Sequence, residues 1–407
     1  MLIEKRRLIL ASIYLVPFVH SIVLTTLWPS SMASIAQTAI KGGFSIWLIV
    51  LGLACIDAKG VRALLSAKSL LLYTIISVAS VIWAVDLDRA LMALLGFLSL
   101  LLLAIASLRV SRLEVCKVLL ASCDAIVVLS LFAYAMGLHG ATVYMQDVER
   151  LSGITFGPHA LGRVVVLALL IRFYLYCCGH HFGSISVLIY VFVYGFSLYL
   201  TDSRQAYLVI LPVLFSVWVL SGNSSARVKF SAFMLVLALS LVPLSGFDGR
   251  LAGVAESLNR SATDDITTLT GRTFIWARSI ELIGDSPYLG YGLHGGGLVL
   301  TQNYATDTSG WTTESAHNLF LQTALDLGLI GLLVVIFVFV GAIVVSFVHV
   351  SPLSMALVVF ALILGFVERS IAGAPGFMNF LFFYGILLAY LRVGYNESVT
   401  NERVGVV

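Results

Sequence analysis

Three short stretches of the 407-residue chain set a chemically capable side chain at a helix boundary. They are TDSRQAY around Arg204, TGRTFIWAR around Arg272 and ESAHNLFLQTALD around His317. Arginine is a planar fork of five donors that grips phosphate oxygens in pairs, which lysine, a point charge, does not. Arg204 stands where one apolar run ends and the next begins. Arg272 stands at the expected start of a helix, where free backbone N–H groups and the positive end of the dipole add to its guanidinium. A neutral imidazole can take a proton from a hydroxyl near pH 7. In a first helical turn, where His317 is expected, the dipole disfavours the charged ring. Arg150 and Arg163 flank RLSGITFGPHALGR, and Arg369 ends a late apolar run. Singly, each arginine reads as an interfacial side chain that snorkels or pairs with a carboxylate, and His317 as a helix-start residue with Ser315 as its cap. As a set they describe a cationic cradle for a phosphate-bearing ligand, with a base beside it.

Membrane helices must position these groups. The sequence is 60% hydrophobic and 11% charged, with mean hydropathy +1.02. A soluble surface of this size needs more charge than that. Apolar runs of roughly 17–25 residues, each enough to cross a hydrocarbon core of about 30 Å, recur along the chain as continuous runs rather than alternating strands. The fold class is therefore an all-α polytopic membrane protein. Twelve spans are expected, at 8–29, 44–56, 69–84, 91–108, 116–137, 160–178, 183–201, 206–220, 229–246, 317–347, 353–371 and 376–392. The chain divides into nine spans over 1–246, a large loop over 247–316, and three spans with a tail over 317–407.

Charge orients the bundle. With both termini cytoplasmic, the inner side holds fourteen of the 24 basic residues and five of the six lysines. The outer side holds the other ten, nine of them arginine. The first span has a basic leader and is expected to stay uncleaved. All five cysteines fall in spans or near inner ends, so neither a structural disulfide nor a zinc site is expected.

The large loop carries Arg250, Arg260, Arg272 and Arg278, and the punctuation SPYLGYGLHGGG. An amphipathic helix is expected from Thr270 or Gly271 to just before Ser286-Pro287, with Phe274, Ile275, Ala277, Ile280, Leu282 and Ile283 on its apolar side. The tenth span, 31 residues at about 1.5 Å each, reaches about 46 Å, so its first turns should stand above the hydrocarbon. Glu314, Asn318, Gln322 and Asp326 recur every four residues and line one polar stripe if that helix begins early. Asp124 inside the fifth span reads equally as a functional carboxylate and as a structural partner. Asp264-Asp265 reads as a solvated acidic turn. No nucleotide-binding motif is present, and the first outer loop, SSMASIAQTAIKGG, lacks the acidic metal ligands of oligosaccharyltransferase-type enzymes.

SVIWAVDLDRAL, RLSGITFGPHALGR, TDSRQAY, TGRTFIWARSIELIGDSPYLGYGLHGG and ESAHNLFLQTALDLGLIGLL, in that order and around a large loop, resemble the bacterial O-antigen ligase and O-antigen polymerase superfamily. Span count and length are more similar to the ligase. The resemblance implies a glycosyltransferase at the periplasmic face of the bacterial inner membrane, with an undecaprenyl-diphosphate-linked glycan as donor. The acceptor is lipid A–core oligosaccharide for a ligase, or a lipid-linked repeat unit for a polymerase. It also implies metal-independent catalysis, no cofactor and no nucleic-acid partner, by a chain expected to act as a monomer among membrane lipids. Carried over by motif, Arg204, Arg272 and His317 are the catalytic residues. Arg150 and Arg163 join the two arginines in diphosphate binding, with Glu314, Asn318 and Arg278 in support. A flippase for a lipid-linked oligosaccharide is the alternative of another class. It requires cations at mid-membrane depth rather than at one face.

Overall fold

The structure, a computed structural model, describes residues 2–23, 31–145, 148–221, 272–305, 312–369 and 376–391. Helices dominate it. In chain order they are α1 Leu2–Ser21, α2 Ser31–Cys55, α3 Ala58–Ser66, α4 Lys68–Ala79, α5 Leu87–Ser107, α6 Arg112–Ala135, α7 Pro158–Cys177, α8 Ser184–Thr201, α9 Arg204–Ser221, α10 Arg272–Asp285, α11 Gly295–Asn303, α12 Leu319–Val348, α13 Pro352–Val367 and α14 Phe377–Tyr390. Local chemistry sets many of their ends. Asp57, Asp86 and Ser111 cap α3, α5 and α6 by accepting from the N–H of Gly60, Arg89 and Glu114. Pro158 and Pro352 open α7 and α13, where a missing N–H costs nothing. Asp202, in the left-handed region at φ 43°, ends α8 and turns the chain towards α9.

Among the described residues six helices are long and apolar enough to cross a membrane, and the pair α3 and α4, bent by 89°, counts as a seventh if it is one broken span. Three shorter apolar helices, Gln205–Ser221, Pro352–Val367 and Phe377–Tyr390, coincide with further expected spans, as does α1 with the first. The ninth expected span, 229–246, lies outside the described residues, as do Arg250, Arg260, Asp264, Asp265 and the C-terminal tail. The second span, expected over 44–56, is a 25-residue helix that takes up most of the expected first outer loop.

α14 is apolar all round, and from Phe377 to Ala389 it is buried, as such a helix must be. It packs among α5, α12 and α13, while α9 lies against α7 and α13. α12 instead has two faces: Val334, Val335 and Val338 point inward, and Leu333, Phe337 and Val340 are exposed, as lipid-facing side chains are. The loop between α6 and α7 contains a hairpin that sequence reading missed, β1 Thr142–Met145 antiparallel to β2 Val148–Leu151, with Val143 opposite Arg150.

The tenth span is not one straight rod. At Gly328 the backbone leaves the helical region (φ 69°, ψ −172°), and the segment Pro287–Tyr291 fills the break. Leu329 N–H donates to the Pro287 carbonyl at 2.7 Å, and Tyr291 N–H donates to the Leu325 carbonyl at 2.8 Å. Backbone groups freed by the kink, which lipid cannot satisfy, are thus paired with the loop. α10 spans Arg272–Asp285, close to the expected bounds. Its inward residues are Ile275, Ser279 and Leu282, and the first and third pack with Leu300, Ala316 and Leu325, whereas Phe274 and Ile280, expected on the apolar side, are exposed.

Candidate active site

His317 lies before α12 rather than in its first turn. Asn318 is the cap, and its Oδ1 accepts from Phe320 N–H at 2.9 Å and Leu321 N–H at 3.1 Å. Its Nδ2 donates to the Phe366 carbonyl at 3.2 Å, tying the start of α12 to the end of α13. Ser315 does not cap the helix; its Oγ accepts from the N–H of His317 at 3.0 Å. That bond holds His317 at φ 47°, a left-handed conformation uncommon for a side chain larger than glycine. Ala316 between them is fully buried, donating its N–H to Gln322 Oε1 at 3.1 Å and accepting at its carbonyl from Trp276 Nε1 at 2.9 Å. The expected polar stripe therefore splits in two. Gln322 and Asp326 are buried within α12, while Glu314 and Asn318 belong to the loop before it.

The fixed bend aims the imidazole at Glu368, the residue that ends α13. His317 Nδ1 is 3.9 Å from Glu368 Oε2, and Arg272 Nη2 is 3.9 Å from Glu368 Oε1. Gln205, the second residue of α9, donates from Nε2 to the same Oε1 at 3.1 Å. Arg272 also donates from Nη1 to the Val367 carbonyl. Burial alone would push the Glu368 carboxyl up. The facing imidazole of His317 and the charges of Arg163 and Arg272 outweigh burial and hold it well below the usual carboxylate range. Burial lowers Arg272 from its ordinary value and Glu368 opposes that, so the guanidinium keeps its charge.

Five elements thus meet at one end of the bundle: α7 with Arg163, α9 with Gln205, α10 with Arg272, the bend before α12 with His317, and the end of α13 with Glu368. Arg204 opens α9 immediately before Gln205; its side chain lies outside the described part of the structure.

The other expected residues surround this group. Arg150 on β2 is fully buried, and donates from Nε to the Thr201 carbonyl at 3.0 Å and from Nη2 to the Asp202 carbonyl at 2.9 Å. Its fork holds the turn that delivers α9. In the same turn, Ser203 Oγ meets His159 Nδ1 at 3.2 Å. Glu314 accepts from Arg89 Nη1 at 2.9 Å, and its carbonyl accepts from Arg369 Nη1. Arg278 pairs with Glu281 at 2.6 Å and donates to the Asn303 carbonyl at 3.0 Å, joining α10 to the end of α11. Asp124 is far from this group in role: its carboxylate accepts from Arg172 at 2.6 Å and from Tyr194, and Arg172 stacks on the Tyr190 ring at 3.2 Å. That is a structural ion pair between spans.

Glu368 and Gln205 escaped the sequence reading. Their signals were present: a lone acid immediately before Arg369 at the end of an apolar run, and an amide immediately after Arg204.

Residues 189–336 match the family model for O-antigen ligase. This segment is similar to the O-antigen ligase family. It contains Arg204, Gln205, Arg272, Arg278, Glu314, His317 and Asn318, and so most of the site; Arg150, Arg163 and Glu368 lie outside the match. No curated protein matches the chain. The match and the long apolar helices together indicate a membrane protein that is similar, over residues 189–336, to the O-antigen ligase family.

Proposed function

We propose that this enzyme is an O-antigen ligase, transferring a glycan from undecaprenyl diphosphate to lipid A–core oligosaccharide at the periplasmic face of the bacterial inner membrane. The observation that carries the reading is the meeting of Arg272 and His317 on Glu368 beside the start of α9. Twelve spans with both termini cytoplasmic complete the proposed topology.

The chemistry follows from the charges. Cleaving a glycosyl–diphosphate bond leaves a polyanion, and preorganised guanidinium donors stabilise that charge more than water does. Arg272 and Arg204 take this role, with Arg163 adding positive charge and Arg150 holding the turn before Arg204. Arginine supplies the countercharge, so transfer runs without a divalent metal or other cofactor. The acceptor hydroxyl is a weak nucleophile until its proton is taken, and His317 takes or orients that proton. Attack from the face opposite the leaving diphosphate inverts the anomeric centre. The polyprenyl tail stays between helices while the diphosphate enters the arginine cluster. A flippase is disfavoured because the cations of this site gather at the ends of helices rather than along a path through the bundle.

The test is transfer by purified protein given lipid-diphosphate glycan and two competing acceptors, lipid A–core and lipid-linked repeat unit. Product on lipid A–core is the expected result. Product on the repeat unit makes the protein a polymerase, and product on neither removes the glycosyltransferase reading.

A further inference from the structure

Glu368 raises a question that anion binding does not answer. A carboxylate at the centre of an arginine cluster repels a diphosphate, yet here one is built in on purpose. It ends α13, its side chain is 17% exposed, and one oxygen is held by Gln205 at 3.1 Å. Its other oxygen faces His317 Nδ1 at 3.9 Å. That nitrogen is buried, with no hydrogen-bond partner among the described residues. The His317 backbone is held by Ser315, and the Asn318 cap follows it at once, so the point from which the ring projects is fixed. With Nδ1 directed inward to the carboxylate, Nε2 is the nitrogen left for substrate.

We propose that Glu368 is a positioning residue for glycosyl transfer, orienting His317 through Nδ1 and balancing the positive charge that the imidazole acquires. This rests on the glycosyltransferase reading above. In the step, the acceptor oxygen forms a bond to the anomeric carbon as the bond from that carbon to the diphosphate oxygen breaks. The bonding pair leaves with the diphosphate, and the acceptor's proton goes to His317 Nε2. The ring becomes an imidazolium beside an ionised carboxylate, so that charge forms next to its counterion and not next to arginines alone. Glu368 is a poor proton acceptor itself, because the cations around it keep it ionised. It acts by orientation and by charge, as a carboxylate behind a catalytic histidine does. The charged and titratable groups around the pair are Arg272 on α10, Arg163 and His159 on α7 and Arg369 next in the chain, and burial with the nearby arginines keeps His159 neutral.

The experiment compares the wild type with Glu368→Gln and Glu368→Asp in the reconstituted reaction, reading kcat, KM for the lipid-diphosphate donor, the pH profile and the melting temperature. Glu368→Gln is expected to lower kcat at least tenfold, with donor KM unchanged or lower because a repelling charge is gone. The acid limb of its kcat/KM profile should move to lower pH, since the carboxylate that favours the protonated ring is missing. Glu368→Asp should recover part of kcat. Wild-type kcat in Glu368→Gln overturns the proposal. So does a kcat loss that follows a fall in melting temperature with the acid limb unmoved, which marks a merely structural residue. If Glu368→Gln does not fold, Glu368→Asp alone decides: a lowered kcat at unchanged KM and melting temperature supports the role, and wild-type kcat removes it. A wild type that transfers to neither acceptor overturns the function, a different result from any of these.

Discussion

The N–H of Gly296 donates to Oδ1 of Asp326 at 2.9 Å, joining the first turn of α11 to the upper part of a membrane helix 30 residues later. Gln322 Nε2 donates to the same oxygen at 3.3 Å while its Oε1 accepts from Ala316 N–H. These two buried side chains therefore connect the glycine-rich loop, the upper part of α12 and the bend that presents His317. Gly296 must be glycine for this contact, because a Cβ there would lie 2.5 Å from Leu325 Cβ and 2.8 Å from Asp326 Oδ1.

Removing that acceptor should loosen the site before it unfolds the bundle. Asp326→Ala leaves the Gly296 N–H and the Gln322 amide buried without their acceptor, a cost of about 1–3 kcal/mol for each lost bond that water cannot replace. Asp326→Asn keeps one acceptor oxygen and should cost less. Thermal melts in detergent and protease sensitivity of residues 287–305 measure it. A melting temperature for Asp326→Ala equal to that of the wild type would show that the contact is dispensable.

Gly328 offers a sharper test of the kink. Its φ of 69° is in the left-handed region, and a Cβ would lie 2.1 Å from the Tyr288 carbonyl oxygen. Gly328→Ala therefore adds backbone strain of roughly 1–3 kcal/mol to a clash that must displace Pro287–Tyr291. Transfer should fall by at least tenfold while α12 still inserts, because the loop that supports the site moves and the lower half of the helix does not. Normal transfer by Gly328→Ala would mean that the loop re-docks without effect.

Much of this was legible in the sequence, and the division has a physical logic. Long apolar runs declare membrane helices, and the end of α10 at Asp285 follows from a helix pattern closed by Ser286-Pro287. Long-range pairing leaves no such periodic trace. Ser315 has the residue type of a cap, but Asn318, three residues on, does the capping and Ser315 holds the left-handed bend. The 31-residue span gave no sign of a break, since Gly328 is one of several glycines in an apolar run and only the docked Tyr288 shows why it matters. The family motif implies anion binding for Arg150, and the structure sets its fork on two carbonyls 51 and 52 residues away. Glu368 is a lone acid in a pattern dominated by cations, and its meaning emerges only when four other elements converge on it.

His294 sets an acid limit on the fold. Burial, reinforced by Arg369, lowers its ring from the ordinary 6.5 to about 4, although Glu314 pulls the other way. A group whose folded value is depressed stabilises the fold above its unfolded value and loses that contribution as pH falls towards the folded one. The window is thus pH 6.5 down to about 4, and the loss is on the order of a few kcal/mol. Since His294 stands at φ 63° before α11, His294→Asn is the suitable control, because asparagine tolerates that conformation. Denaturation followed across this window should show a smaller decline in His294→Asn than in the wild type. Parallel curves would assign the acid loss to other groups.

The arginines and His317 make the last and most direct prediction. Arg204→Ala, Arg272→Ala and His317→Ala should each express and insert normally, because the apolar helices that set insertion are unchanged, yet each should lower transfer by roughly 100-fold or more, the scale of removing one preorganised donor or base. Arg272→Lys should recover only part, since an ammonium cannot hold the Val367 carbonyl and face Glu368 with the same planar fork. EDTA should leave the wild-type rate unchanged if arginine alone supplies the countercharge. Loss of transfer in EDTA and its return with magnesium would overturn that, and near-normal transfer by His317→Ala would remove the histidine from the proton's path.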